Sequence, residues 1–234
     1  MQQLPLAISP REDATFASFM RLPVNVAVVE ALQGLHERDD YSLTVLHGHV
    51  GSGRSHLLQA VCLQALESGQ DAVFLPLAEL RTYPPAELLA GLEAQRVVCL
   101  DDVDAVAGLR AWEEQLFNLI NRKMACGGAL IVAGSRPPSA SAFTLPDLVS
   151  RLQHGLVLAL AEPSDEDKAR LFIWRGYLRG MQVPVPVARF VLSHCGRDLH
   201  RLMSLLDHMD VQSLKQQRRI TLPFVRELLQ VEPR

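Results

Sequence analysis

The stretch Gly48–His56, GHVGSGRSH, decides how this chain is read. Gly48 and Gly53 stand at the spacing of a phosphate loop, G-x-x-x-x-G-K-[ST], with Ser55 in the hydroxyl position and Arg54 where lysine normally stands. The loop leaves a short β-branched and apolar run, SLTVLHG, and enters a segment of helical spacing that begins at Ser55 and stops at Gly69. Gly51 and Gly53 suit positive φ, which turns backbone N–H groups inward around an anion. The helix N-terminus adds partial positive charge. Ser52 and His56 complete the stretch as candidate nucleotide contacts, and Ser55 is placed to set its hydroxyl on a magnesium ion. A glycine-rich turn without a ligand is the plain alternative. Arg54 alters chemistry more than binding, because guanidinium is broad, planar and bidentate where ammonium is compact. The expectation is that nucleotide binding survives and fast unaided hydrolysis does not.

Further along, Val97-Val-Cys-Leu-Asp101-Asp102 is an apolar strand ending in carboxylates. This is the Walker-B arrangement, with Asp101 aimed at the magnesium shell and Asp102 in the place of the residue that orients the attacking water. That residue is usually glutamate, and aspartate is one methylene shorter. A buried strand ending in solvated aspartates is the alternative. Strand-like runs at DAVFLPL, ALIVAG and HGLVLAL alternate with helical spacing at PPAELLAGL and AWEEQLFNLINRKMACGG. Apolar character on both faces of the strands indicates a parallel sheet between two helical layers. After Glu162-Pro163 the strands stop. Ser164 and Asp167 read as a capping box opening the helix DEDKARLFIWRGYLRG, and helical stretches follow near Val187–His194, Asp198–Met209 and Pro223–Gln230.

Composition bounds the function classes. The chain has 234 residues, 48% hydrophobic and 21% charged, with net charge −3. That suits a folded α/β domain plus a small satellite, and gives no global positive field for nucleic acid or anionic membrane. The four cysteines form no CxxC pair, so a disulfide framework or zinc site is not expected, and Cys62 and Cys99 read as small buried hydrophobes. No secretory signal or membrane-spanning run is present, which points to the cytoplasm. The eight histidines show no ligand spacing, and Trp112 and Trp174 read as packing residues.

Taken together, these motifs resemble the AAA+ superfamily in its bacterial replication-initiator (DnaA) branch, and within it the short Hda family of initiator inactivators. The resemblance covers almost the whole chain. It implies a three-layer αβα P-loop domain with a five-stranded parallel sheet, followed by a small all-α lid. The implied division is a clamp-binding tail at 1–12, a nucleotide-binding core at 13–162 and a lid at 163–234. Within ATFASFM, Phe16 and Phe19 would lie against adenine. LIVAGSRPP resembles the sensor-1 strand, with Ser135 as its polar group within one or two positions. LPDLVSRL resembles the box carrying the arginine finger, which makes Arg151 that finger; an ordinary surface arginine is the alternative. GRDLHRLMSLL resembles the sensor-2 helix, with Arg201 reaching back to the phosphates, or else pairing with Asp198. QQLPL resembles the peptide that docks on the β subunit sliding clamp, through Gln2, Gln3, Leu4, Pro5 and Leu6. Met1 stands where the best-fitting glutamine would be, so the register is shifted.

The resemblance implies an ADP- or ATP-binding regulator, with Mg²⁺, whose partners are the initiator DnaA and the clamp. Hydrolysis would occur on ATP held by DnaA, negatively regulating replication initiation. No helix-turn-helix follows the lid, so sequence-specific DNA binding is not expected, and the basic run KQQRR reads as a solvated loop. Self-association into a homo-oligomer is compatible with the family. The rival readings are an autonomous ATPase such as a helicase loader, and a non-catalytic nucleotide-binding interaction domain.

Overall fold

The computed structural model of the protein describes residues 10–37, 40–195 and 199–231. The described residues form two compact units, one ending at Ala161 and the other beginning at Glu162. In chain order the first contains α1 (Val26–Leu32), β1 (Ser42–Gly48), α2 (Arg54–Glu67), β2 (Ala72–Pro76), α3 (Leu77–Leu80), α4 (Pro85–Leu88), β3 (Val97–Asp101), α5 (Arg110–Cys126), β4 (Ala129–Gly134), α6 (Pro146–His154) and β5 (Leu156–Leu160). The strands form one parallel sheet in the order β2-β3-β4-β1-β5. The alternation of strand and helix seen in the sequence thus becomes a series of crossovers, as parallel pairing requires.

The apolar strands feed two cores by turns. In β3, Val97 and Cys99 join Leu57, Val61 and Cys62 of α2, whereas Val98 and Leu100 join Leu116, Leu119 and Ile120 of α5. In β4 the same alternation sends Ala129 and Ile131 one way and Leu130 and Val132 the other. Both strands are buried at every position, which is why neither shows a polar alternation in sequence. β5 is different. It lies at the sheet edge, and Leu156 and Val157 are exposed despite their apolar character. Trp112 is buried and donates its indole N–H to the Arg81 carbonyl at 3.1 Å, a packing role.

Two local expectations need correction. PPAELLAGL does not form one helix: α4 stops at Leu88, and a separate 3₁₀ turn covers Leu92–Ala94. Gly91, at φ 76°, breaks the run between them. KQQRR is not simply a loop, since Lys215 and Gln216 belong to a helix and the chain turns only at Gln217, φ 52°.

The second unit comprises α7 (Asp165–Leu178), α8 (Val185–Cys195), α9 (Leu199–Gln216) and α10 (Leu222–Val231) around Phe172, Leu202, Leu206, Met209 and Phe224. Ser164 caps α7 by accepting the Asp167 N–H at 3.1 Å, as the capping box predicts. Buried Lys168 pairs with the exposed Glu162 carboxylate at 2.6 Å. Among the described residues no helix is long and apolar enough to cross a membrane.

Candidate functional site

Parallel strands deliver their following loops to one edge of a sheet, where α/β proteins hold ligands. The register here aligns His47 of β1 with Gly134 of β4, and Leu100 of β3 with Val132 of β4. The glycine-rich loop after Gly48, the pair Asp101–Asp102 and Ser135 are therefore gathered at one edge.

The loop adopts a left-handed conformation at Gly51 (φ 79°) and Gly53 (φ 99°), and α2 starts at once with Leu57 N–H on the Gly53 carbonyl at 3.0 Å. A Cβ on Gly53 would lie 2.7 Å from the Phe19 ring. Gly53→Ala should therefore carry both the left-handed penalty of about 1–2 kcal/mol and a clash. A urea titration should show a lower midpoint with unchanged slope, and an unchanged midpoint would contradict this conformation of the loop.

Two buried atoms at the loop, Ser52 Oγ and Arg54 Nη1, have no hydrogen-bond partner among the described residues. Arg54 is only 6% exposed, and its single ion pair among the described residues is a 3.4 Å contact from Nη2 to Asp102 Oδ1. The Asp102 side chain is 44% exposed, so water screens that pair. A buried guanidinium so weakly compensated, beside a hydroxyl and a helix N-terminus, has the character of an anion site. These residues fit a nucleotide's phosphates. The position of Arg54 also differs from a purely phosphate-directed one, because it shares its charge with Asp102.

Asp101 is buried. Burial pushes its carboxyl above the ordinary carboxylate range, against a hydrogen bond from Ser55 and the charge of Arg54, while Asp102's charge adds to the rise. Ser55 and Asp101 are thus joined across the edge, the pairing needed to hold a divalent cation through its water shell. Asp102 takes a left-handed conformation, φ 50°, which aspartate tolerates better than most residues, and its N–H returns to Asp101 Oδ1 at 2.9 Å. His47 is held below the usual histidine range by burial and by the Arg54 charge.

Upstream, Phe19 is half-buried beside the His56 ring, centroids 5.5 Å apart, and His56 Nε2 donates to the Thr15 carbonyl at 2.9 Å. The segment before α1 is thereby fastened to the loop. Phe16 is enclosed in the core on the α2 side of the sheet. Ser135 is exposed just past β4, and its N–H is held by Asp104 Oδ2.

Arg151 stands apart from this group. It lies in the last turn of α6, whose Leu148 and Leu152 pack in the core on the sheet face opposite α2. Its charge reaches Tyr41, the residue just before β1, and partly offsets the upward push of burial on that phenol. The phosphate loop leaves the other end of β1, which spans about 20 Å. Arg151 is part-exposed, and its side chain has no hydrogen bond or ion pair among the described residues. Arg201 is exposed near the start of α9 in the second unit. Gln2, Gln3, Leu4, Pro5, Leu6 and Asp198 lie outside the described residues.

Two carboxylates were missed in the sequence. Asp104 holds the turn after β4, and Glu113 is fully buried among backbone amides. The signal for Glu113 was its place on the buried stripe of α5 with Leu116 and Ile120.

The family model described as the bacterial DnaA ATPase domain matches residues 11–159, and that described as the Hda lid domain matches residues 165–229. Domain III of the Thermotoga maritima replication initiation protein DnaA is similar at TM-score 0.81 and 23% identity, covering 96% of this chain and 99% of that one. AMPPCP-bound DnaA from Aquifex aeolicus is similar at TM-score 0.74 and 18% identity, covering 88% of this chain and 68% of that one. The Thermotoga maritima RuvB Holliday junction branch migration motor is similar at TM-score 0.69 and 16% identity, covering 93% and 72%. At these identities the solved structures establish a shared AAA+ fold. With a parallel sheet whose loops form a phosphate-type site, a helical unit following it along the chain and both family matches in that order, the chain belongs to the bacterial DnaA ATPase-domain family, as an Hda/DnaA-related AAA+ protein.

Proposed function

We propose that this protein is a regulator that lends Arg151 to ATP bound by the initiator DnaA and thereby stimulates its hydrolysis, lowering the initiation of chromosomal replication. The observation that carries the reading is the placement of Arg151. It is a part-exposed arginine without a carboxylate partner among the described residues, on the other face and toward the other end of the sheet from its own phosphate loop. A guanidinium there is remote from its own loop and accessible to a neighbour's nucleotide. Fixed next to a transferring phosphoryl group, it would offset the charge that develops on the equatorial oxygens.

The protein's own site is proposed to hold ADP or ATP with Mg²⁺. Gly51, Ser52, Gly53 and Arg54 would take the phosphates, Ser55 and Asp101 the metal shell, and Phe19 the adenine side. Asp102, Ser135 and Arg201 are assigned supporting contacts by the family resemblance. The AMPPCP carried by the Aquifex initiator supports an adenine nucleotide. When bound, the nucleotide would supply negative charge to the buried donors of the loop. Arg54 in the lysine position and the short side chain of Asp102 weigh against an autonomous ATPase. Residues 2–6 are proposed to dock on the sliding clamp, raising the local concentration of Arg151 near the initiator.

The test is hydrolysis of DnaA-bound ATP with clamp and DNA present. A chain lacking residues 1–8 should lose about tenfold or more at limiting concentration and recover as its concentration rises. A loss that high concentration does not relieve would assign the tail another role.

A further inference from the structure

Glu113 is an anomaly by charge. It is fully buried in the first turn of α5, yet no cation neutralises it among the described residues. Its carboxylate instead gathers donors from two other segments. Oε1 accepts the N–H of Gly108 at 2.7 Å and that of Thr144 at 3.0 Å; Oε2 accepts Thr144 N–H at 3.0 Å, Thr144 Oγ1–H at 2.9 Å and Leu145 N–H at 2.7 Å. Burial pushes this carboxyl up, but the Thr144, Gly108 and Leu145 donors outweigh it and leave it below the ordinary glutamate range. The anion is thus the favoured form inside the protein. An apolar side chain of equal volume would fill the space, and neutral glutamine would present one acceptor and an NH₂ group to a ring of donors.

What the carboxylate holds is the entrance to α6. Leu145 is the N-cap of that helix and supplies no side-chain cap of its own, and Pro146 follows it. Leu148 and Leu152 seat this nine-residue helix in the core, and the Thr144–Leu145 backbone sets how it enters, so a shift at Leu145 is carried along the helix to its last turn, where Arg151 stands. On its other side the carboxylate grips Gly108, which follows the turn Val103–Val106 that begins directly after Asp102. One buried anion therefore ties the helix bearing Arg151 to the loop that continues from the phosphate-edge carboxylates.

We propose that Glu113 is the positioning residue for Arg151: its carboxylate clamps the Thr144–Leu145 backbone and so sets where the guanidinium stands when it meets a neighbour's nucleotide. This rests on the reading of Arg151 as a finger used in trans. It predicts an effect specific to turnover, because a misaimed guanidinium still docks but no longer meets the transition state.

The experiment measures hydrolysis of DnaA-bound ATP by the full chain with clamp and DNA, for wild type, Glu113→Gln, Arg151→Ala and the double variant. Glu113→Gln should lower the maximal rate about tenfold or more while the half-saturating concentration stays constant. In the Arg151→Ala background the same change should cost nothing further. Thr144→Val removes a single hydroxyl donor and keeps the backbone bonds, so it serves if the glutamine variant does not fold. Its expected loss is about two- to threefold, again absent without Arg151. A full rate in a folded Glu113→Gln or, where that variant fails to fold, in Thr144→Val overturns the proposal. So does a loss that persists in the Arg151→Ala background, or one that appears only as weaker docking. If Arg151→Ala itself is silent, the functional reading fails first, and the role of Glu113 falls with it.

Discussion

Arg151→Ala is expected to reduce stimulated hydrolysis of DnaA-bound ATP by about 10³-fold or more, the range in which arginine fingers act in other phosphoryl-transfer systems. That corresponds to about 4 kcal/mol of transition-state stabilisation. The same substitution should leave the protein's own melting temperature and nucleotide affinity almost unchanged, because the Arg151 side chain has no hydrogen bond or ion pair among the described residues. Loss of turnover without loss of fold is the signature of a group lent to a partner. Arg151→Lys should recover little, since a point ammonium lacks the planar, forked geometry that engages two oxygens at once. Single-turnover hydrolysis with radiolabelled ATP on the initiator, alongside a thermal melt of each variant, decides the matter. Wild-type turnover by the alanine variant would refute the reading, and a matching fall in melting temperature would assign Arg151 a structural role.

The second large effect has two opposite signs. Asp101→Asn is expected to stabilise the ligand-free fold and weaken Mg²⁺-dependent nucleotide binding by about 10–100-fold. Burial raises the folded-state carboxyl of Asp101 above its ordinary 3.8. The folded chain therefore holds that proton more tightly than the unfolded chain does. The associated stability is fully present below pH 3.8 and is lost as pH rises through the raised folded-state value. Above that value the buried charge costs the fold stability. Asparagine removes the charge, still accepts the Asp102 N–H, and should raise the melting temperature by about 2–4 °C for each 1 kcal/mol relieved. Melts with and without Mg²⁺–ADP, together with calorimetric titration, test both halves. A lower melting temperature or an undiminished Mg²⁺ dependence would show that Asp101 is not the buried metal-directed carboxylate inferred here.

These effects differ in how far the sequence alone exposes them. The phosphate-type loop was legible because its requirements are local: glycines at Gly51 and Gly53 for positive φ, a preceding apolar strand and a following helix. The strands ending at Gly48, Asp101 and Gly134 were legible for a similar reason, since an unbroken apolar run bounded by turn residues leaves few alternatives. The break at Gly91 was hidden, because its glycine lies in a run whose apolar spacing still fits a helix. The exposure of β5 was hidden too, since Leu156 and Val157 differ in composition not at all from residues of a central strand.

The order of strands and helices, the phosphate-type loop and the capped helical unit that follows it along the chain could be read from the residues alone, because each depends on residues within a few positions of one another. It took the folded chain to show that Arg54 leans on Asp102, 48 residues away, that Glu113 seizes the backbone 31 residues on, and that Arg151 stands across the sheet from its own loop. Such partners are chosen by strand order and helix packing, and a charged side chain's role follows from what surrounds it in space.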